Sequence, residues 1–138
     1  MRISLDHLIV PTKNRVQSAQ LLGTLLGVPW SDQGEFGPFS PVFVNEELTI
    51  DFDEWSEPIP KMHYCFKVNA SDFEPILSRI KNAGIAFRSL PLGADDNAVN
   101  NAFGGSLVYW SEPDGHAWEI LTVSNARQTP SSTSSADA

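Results

Sequence analysis

The chain is poor in cysteine, in cations and in long apolar runs, and each shortage removes a class of protein. A single cysteine, Cys65, among 138 residues leaves no intrachain disulfide framework and no thiolate-rich zinc site. Only 9 Lys and Arg stand against 17 Asp and Glu, a net charge of −8. A nucleic-acid partner needs a basic face to neutralise phosphates, and the cations here are scattered. No stretch approaches the roughly 20 consecutive apolar residues of a membrane-spanning helix. The opening Met1-Arg2-Ile3-Ser4-Leu5-Asp6-His7 sets Asp and His where a signal peptide would carry its apolar run. Gly104-Gly105 lacks the lysine and following helix of a phosphate loop, and no serine sits in a nucleophile elbow.

What is present describes an ordinary globular chain: 41% hydrophobic and 19% charged residues. The reading is one soluble, cytoplasmic domain over residues 1–125, with a Ser-, Thr-, Pro- and Ala-rich tail over 126–138 expected to be disordered. Ile3 to Val10 reads as a strand ending at Pro11, with Ile3, Leu5, His7 and Ile9 on one face. A helix is predicted from Asn14 to Leu26, closed by Gly27. Short strands follow around Trp30, at 42–44 and at 48–52.

After Pro58 and Pro60 the pattern restarts. A strand is predicted over Met62–Val68 and a helix over Asp72–Ala83, N-capped by Ser71 and ended by Gly84. A strand at 85–87, a polar loop from Pro91 to Gly105, and two strands at 107–111 and 117–122 flanking the turn Pro113-Asp114-Gly115 complete it. The halves, about 1–55 and 60–125, share the order strand, helix, three strands. Each carries a histidine in its first strand (His7, His63) and a carboxylate in its last (Asp51, Glu119). An internal duplication of this kind fixes the architecture.

A lone histidine on an aliphatic strand is ordinarily a packed residue, and this applies to His7 and His63 taken singly. Glu119 is different, because a carboxylate within Ala-Trp-Glu-Ile-Leu is costly to bury unless paired or bound to metal. Two imidazoles and a carboxylate form a set that holds a divalent transition metal with positions left open; Fe, Mn, Ni and Zn all fit. His116 points opposite to Glu119 by strand alternation and reads as structural. Cys65 shares the face of His63 and lines the same cavity or is a bystander. Phe103, Trp110, Trp30 and Phe39 are candidates for an apolar pocket or plain core. Lys67 and Arg88 are candidates to pair with an anionic substrate, although single surface cations ordinarily do nothing specific.

Leu5-Asp6-His7-Leu8-Ile9-Val10 and Val108-Tyr109-Trp110-Ser111-Glu112-Pro113-Asp114-Gly115-His116-Ala117-Trp118-Glu119-Ile120 resemble the two ends of the vicinal oxygen chelate superfamily. This superfamily comprises the glyoxalase, bleomycin-resistance and extradiol-dioxygenase proteins, and the likeness spans residues 3 to 125. It implies an α+β fold of two βαβββ modules whose mixed sheets curl around a metal cavity. The implied metal ligands are His7, His63 and Glu119. Asp51 stands where some members have a fourth ligand, usually glutamate, and is the opposing catalytic carboxylate beside Glu119. Beside these, the candidate substrate contacts are Trp110, Phe103 and Cys65. Fosfomycin-resistance members usually carry Thr two residues after the first histidine, where this chain has Ile9. The resemblance implies a metal-dependent glyoxalase-like lyase or isomerase acting on a small molecule with two neighbouring oxygens. An extradiol dioxygenase and a non-catalytic bleomycin-resistance-type binder are the alternatives. A homodimer is expected, with modules paired within one chain or between two.

Overall fold

A computed structural model describes residues 1–127, so the predicted tail, apart from its first two residues, lies outside the described residues. The first half runs β1 (His7–Thr12), α1 (Arg15–Leu26), β2 (Ser40–Phe43) and β3 (Thr49–Glu54). The second runs β4 (His63–Lys67), α2 (Ala70–Asn82), β5 (Phe87–Arg88), β6 (Leu107–Ser111) and β7 (Ala117–Leu121). The strands form two sheets, ordered β1-β3-β2 and β4-β7-β6-β5, each with its first strand at an edge and parallel to its neighbour. The architecture is the expected α+β pair of modules.

The two halves are not equally complete. The second is a full βαβββ unit, whereas the predicted strand at Trp30 shrinks to a single bridge, Trp30 to Val42. Pro29 before it and the turn-forming Ser31 to Gly34 after it leave too few residues to extend a ladder. The first strand is also displaced. It begins at His7 rather than Ile3 and continues through Pro11 to Thr12. Pro11 is tolerated because β1 is an edge strand, where a missing N–H costs no ladder bond. Ile3 and Leu5 pair with nothing and stand exposed.

The helices form for the reasons the sequence suggests. Asn14 accepts from Gln17 N at 3.1 Å and caps α1. Gly27, at φ 72°, ends it in the left-handed conformation that glycine adopts without a Cβ clash. In α2 the cap position falls on Asn69 rather than Ser71, without a side-chain bond. Phe73, Ile76, Leu77 and Ile80 form its buried stripe as expected.

One core joins the halves. It contains Leu22, Leu25, Ile50 and Phe52 from the first and Phe73, Ile80, Trp110, Trp118 and Ile120 from the second. Trp118 is its centre, stacked on Tyr64 and Phe66 at 4.7 and 5.8 Å between centroids and touching Phe52 at 6.3 Å. Polar bonds across the seam fix the register of this packing. Asp114, in the β6–β7 turn, accepts from Thr12 Oγ1 at 2.5 Å and from Lys13 N at 3.1 Å. Fully buried His116 accepts from Met62 N at Nδ1, 3.1 Å, so its Nε2–H donates to Pro11 O at 2.8 Å. The expectation that His116 is structural agrees with these bonds.

Candidate functional site

Strand alternation decides what each sheet face carries. Along β7, Trp118 and Ile120 point into the core while Ala117, Glu119 and Leu121 point the other way. The register places Cys65 of β4 and Tyr109 of β6 on either side of Glu119, and Arg88 of β5 beside Tyr109. One row across the sheet therefore reads Cys65, Glu119, Tyr109, Arg88. His63 and Ser111 lie in the adjacent row, flanking Ala117. Leu107, Tyr109 and Leu121 form a second, smaller apolar cluster on this face.

Glu119 and His63 meet here. Glu119 is only 2% exposed, and its Oε2 has no hydrogen-bond partner among the described residues. His63 Nδ1 lies 3.0 Å from Ala117 O. A carbonyl only accepts, so Nδ1 carries the hydrogen and the Nε2 of a neutral ring is left with a lone pair. That lone pair faces Glu119 Oε1 at 3.2 Å. Two acceptors at this distance need a positive centre between them, either a proton or a metal. The orphaned Oε2 adds a third unsatisfied lone-pair group. An imidazole and a carboxylate so arranged fit a divalent transition metal.

The neighbours respond to this buried acid. Burial, then the charge of Glu119, pushes the Cys65 thiol up to about 12. The same two causes raise the Tyr109 hydroxyl above its ordinary value. Tyr109 also lies beside the His63 ring, 6.0 Å between centroids. Sequence reasoning missed Tyr109 as a site residue. Its signal was available: it alternates with buried Trp110 and sits opposite Glu119 across a hairpin whose turn, Pro113-Asp114-Gly115, is plain in the sequence.

His7 and Asp51 occupy the other sheet. His7 pairs with Thr49 and Ile9 with Asp51, so both candidates share one face. His7 Nδ1 bonds the Asp6 carboxylate at 2.8 Å, which leaves Nε2 outward. Burial raises the Asp51 carboxyl, and nearby His7 partly offsets this. Among the described residues of a single chain, no three His, Cys, Asp or Glu side chains gather as a metal site. The chain brings His63 to Glu119 and does not bring His7 to them.

The expected substrate contacts divide. Cys65 lies on the site face beside Glu119. Phe103 is 61% exposed in the loop before β6. Trp110, 1% exposed, points to the opposite face of β6 from Tyr109. There, with Trp118, Phe52, Leu21, Leu22 and Leu25, it lines a cavity of about 230 Å³ between α1 and the back of the sheet. That enclosed space is behind the strands that carry Glu119, so it is not the candidate metal centre.

The chain matches no family model. It is 27% identical over 126 residues to "Glutathione transferase FosA" of Serratia marcescens, a match covering 85% of this chain and 79% of that protein. Two solved structures are more similar. "Oxidase ChaP-H1" is 36% identical with a TM-score of 0.82, covering 91% of this chain and 100% of that one. "Oxidase ChaP-H2" is 33% identical with a TM-score of 0.83, covering 90% and 96%. Fold, site face and relatives together define a protein of paired modules with a carboxylate and imidazole on the last and first strands of its second sheet. The chain belongs to the vicinal oxygen chelate superfamily.

Proposed function

We propose that this protein is a divalent-metal-dependent oxidase of small molecules that present two neighbouring oxygens, and that it works as a pair of copies. The observation that supports it is the convergence of His63 Nε2 and Glu119 Oε1 at 3.2 Å around an orphaned buried Oε2. Similarity to two proteins named oxidases turns the reading toward oxidation, ahead of the lyase or isomerase chemistry that the sequence resemblance alone favours.

His63, Glu119 and a third ligand would hold the metal, which would supply Lewis acidity toward the two substrate oxygens, with dioxygen as the oxidant. The residues of the chain do the rest. Glu119 neutralises charge from beneath. Leu107 and Leu121 form an apolar floor that keeps water from the chelating oxygens. The Tyr109 phenol, 6.0 Å from the His63 ring between centroids, offers a hydroxyl beside the Glu119 carboxylate.

His7 is the proposed third ligand, supplied by a second copy. β1 and β4 are both edge strands, and each begins with its histidine. Side-by-side pairing of β1 from one copy with β4 of another would join a three-stranded and a four-stranded sheet and bring His7 to His63. Unpaired edges invite such addition, and exposed Ile3, Leu5 and Ile9 on or beside β1 offer apolar area for it. The isomerase alternative rests on Asp51, whose raised carboxyl would be the base opposite Glu119.

The test is turnover of catechol- and hydroxyketone-type substrates by iron- or manganese-loaded protein under air and under nitrogen. Turnover only in air supports the oxidase, and equal turnover under nitrogen selects the isomerase. Mixing His7→Ala and His63→Ala chains examines the pairing. Each alone should bind little metal, while a mixed pair recovers one intact site; no recovery overturns the shared site.

A further inference from the structure

Arg88 is the residue whose surroundings the fold does not explain. Arginine is almost never buried unless paired, yet Arg88 is 8% exposed on the short strand β5. Its Nε donates to Pro91 O at 3.2 Å and its Nη1 to Ser111 Oγ at 3.0 Å. Its nearest carboxylate, Asp95, is at 3.6 Å, beyond hydrogen-bond range, and is itself half exposed. Of the five N–H donors of a guanidinium, the two on Nη2 have no acceptor among the described residues. The cation is mostly buried and fixed by neutral partners, while its Nη2 edge, which is not among the buried unpartnered atoms, stays open to an incoming acceptor.

Its position gives this a meaning. Arg88 faces the same way as Tyr109, in register with it, and Tyr109 is in register with Glu119. Ser111, which receives the Nη1 hydrogen bond, belongs to the same face. Two strand spacings of about 4.8 Å put the Arg88 backbone roughly 10 Å from that of Glu119. On that shared face the Arg88 guanidinium reaches Ser111 Oγ and the Glu119 carboxylate reaches His63 Nε2, with Tyr109 between the two strands that carry them. Catechol oxygens and a carboxylate across one aromatic ring are separated by a distance that this span accommodates.

We infer that Arg88 is a substrate-specificity residue that anchors an anionic group, a carboxylate in the first instance, on the far side of the substrate from its two chelating oxygens. This rests on the metal-chelation reading of the site. The planar guanidinium, already oriented by Pro91 and Ser111, offers the forked donor geometry that a carboxylate accepts. The substrate class that follows is the small aromatic or enolic acid carrying vicinal oxygens, rather than its neutral counterpart.

The test uses zinc-loaded protein, because zinc holds the chelating oxygens without redox chemistry, and compares catechol with 3,4-dihydroxybenzoate by calorimetry. The wild type is expected to bind the acid at least ten-fold more tightly than catechol. Arg88→Met should bring the ratio of the two affinities close to one, and Arg88→Lys, which keeps the charge without the fork, should restore part of it. A wild-type ratio near one overturns the inference. So does a ratio that survives in Arg88→Met while both affinities fall together, because that is the signature of a loop clamp acting through Pro91. Circular dichroism of both variants confirms folding, and the lysine variant decides the matter if the methionine variant unfolds. Failure of the protein to bind zinc, or of the zinc form to bind catechol, removes the chelation reading itself and this inference with it. That outcome is distinct from a chelating site that ignores charge.

Discussion

Glu119→Gln should change stability in opposite senses without and with a divalent metal. Without metal, a carboxylate 2% exposed shares a proton with His63 Nε2 at 3.2 Å through one oxygen and has no partner for the other. An unsatisfied buried polar group costs about 1–3 kcal/mol, and more when charged. Glutamine keeps the shape, removes the charge, and turns an amide N–H toward His63 Nε2. A gain of about 1–2 kcal/mol is expected, or a melting temperature higher by roughly 3–7 °C for a domain of this size. Metal at a hundred times its dissociation constant stabilises the wild type by about 2.7 kcal/mol. An amide is a poor ligand, so a variant weakened a hundred-fold gains less than about 0.5 kcal/mol at the same concentration. Adding metal should thus swing the comparison by about 2 kcal/mol toward the wild type. Thermal melts of chelator-stripped and zinc-loaded proteins, with metal content measured alongside, provide the assay. A metal-induced shift equal in both proteins would refute Glu119 as a ligand; a stripped variant less stable than the wild type would refute the account of its buried oxygens.

Asp114→Ala removes the acceptor that ties the β6–β7 turn to Thr12 and Lys13, and should cost about 2 kcal/mol in urea unfolding. Glu112→Gln carries a pH signature. Burial raises the Glu112 carboxyl, partly offset by the bond from His116 N, so folding favours its protonated form. Its contribution is complete below the ordinary carboxylate value near 4.5 and is lost as pH rises through the higher folded value. Glutamine never ionises and still accepts from His116 N. The variant should therefore melt above the wild type at pH 7, with the difference vanishing below about pH 4. Gly23→Ala should destabilise by about 1–3 kcal/mol in the same melts, because a Cβ there would lie 2.7 Å from Trp30 Cδ1.

Local features were the most legible part of the fold. The α1 cap and its Gly27 terminus, the α2 stripe and the last hairpin are each set by residues within a few positions of one another, which is the range over which propensity and periodicity act. The misjudged elements depend on context that is distant in sequence. Pro11 stays in a strand only because β1 is at an edge. Ile3 and Leu5 look like strand residues, yet no strand of the same chain lies beside them. Trp110 reads as pocket or core because an aromatic next to the hairpin motif suits either face, and only the register against Trp118 sets which face it takes. Asp114 reads as a turn former, while its second role as a tether needs a partner about a hundred residues away.

The candidate site shows the same division in a sharper form. His63 and Glu119 are 56 residues apart, yet their meeting follows from the duplication, because parallel pairing of a module's first and last strands puts them on neighbouring strands. The same rule applied to the first module places His7 near Asp51 and not near His63. Each module therefore carries half of the proposed ligand set on a face that its own core does not use, and Leu-Val-Tyr-Trp-Ser and Ala-Trp-Glu-Ile-Leu serve both faces by simple alternation. Inward residues of β6 and β7, Val108, Trp110, Trp118 and Ile120, are apolar because they fill the space beneath α1 and α2. Outward residues are then free to carry an acid, a phenol and, one strand further, a guanidinium. A buried carboxylate oxygen without a partner and an unpaired edge strand beside it are the physical grounds on which the proposed cation site and the proposed pairing of copies rest.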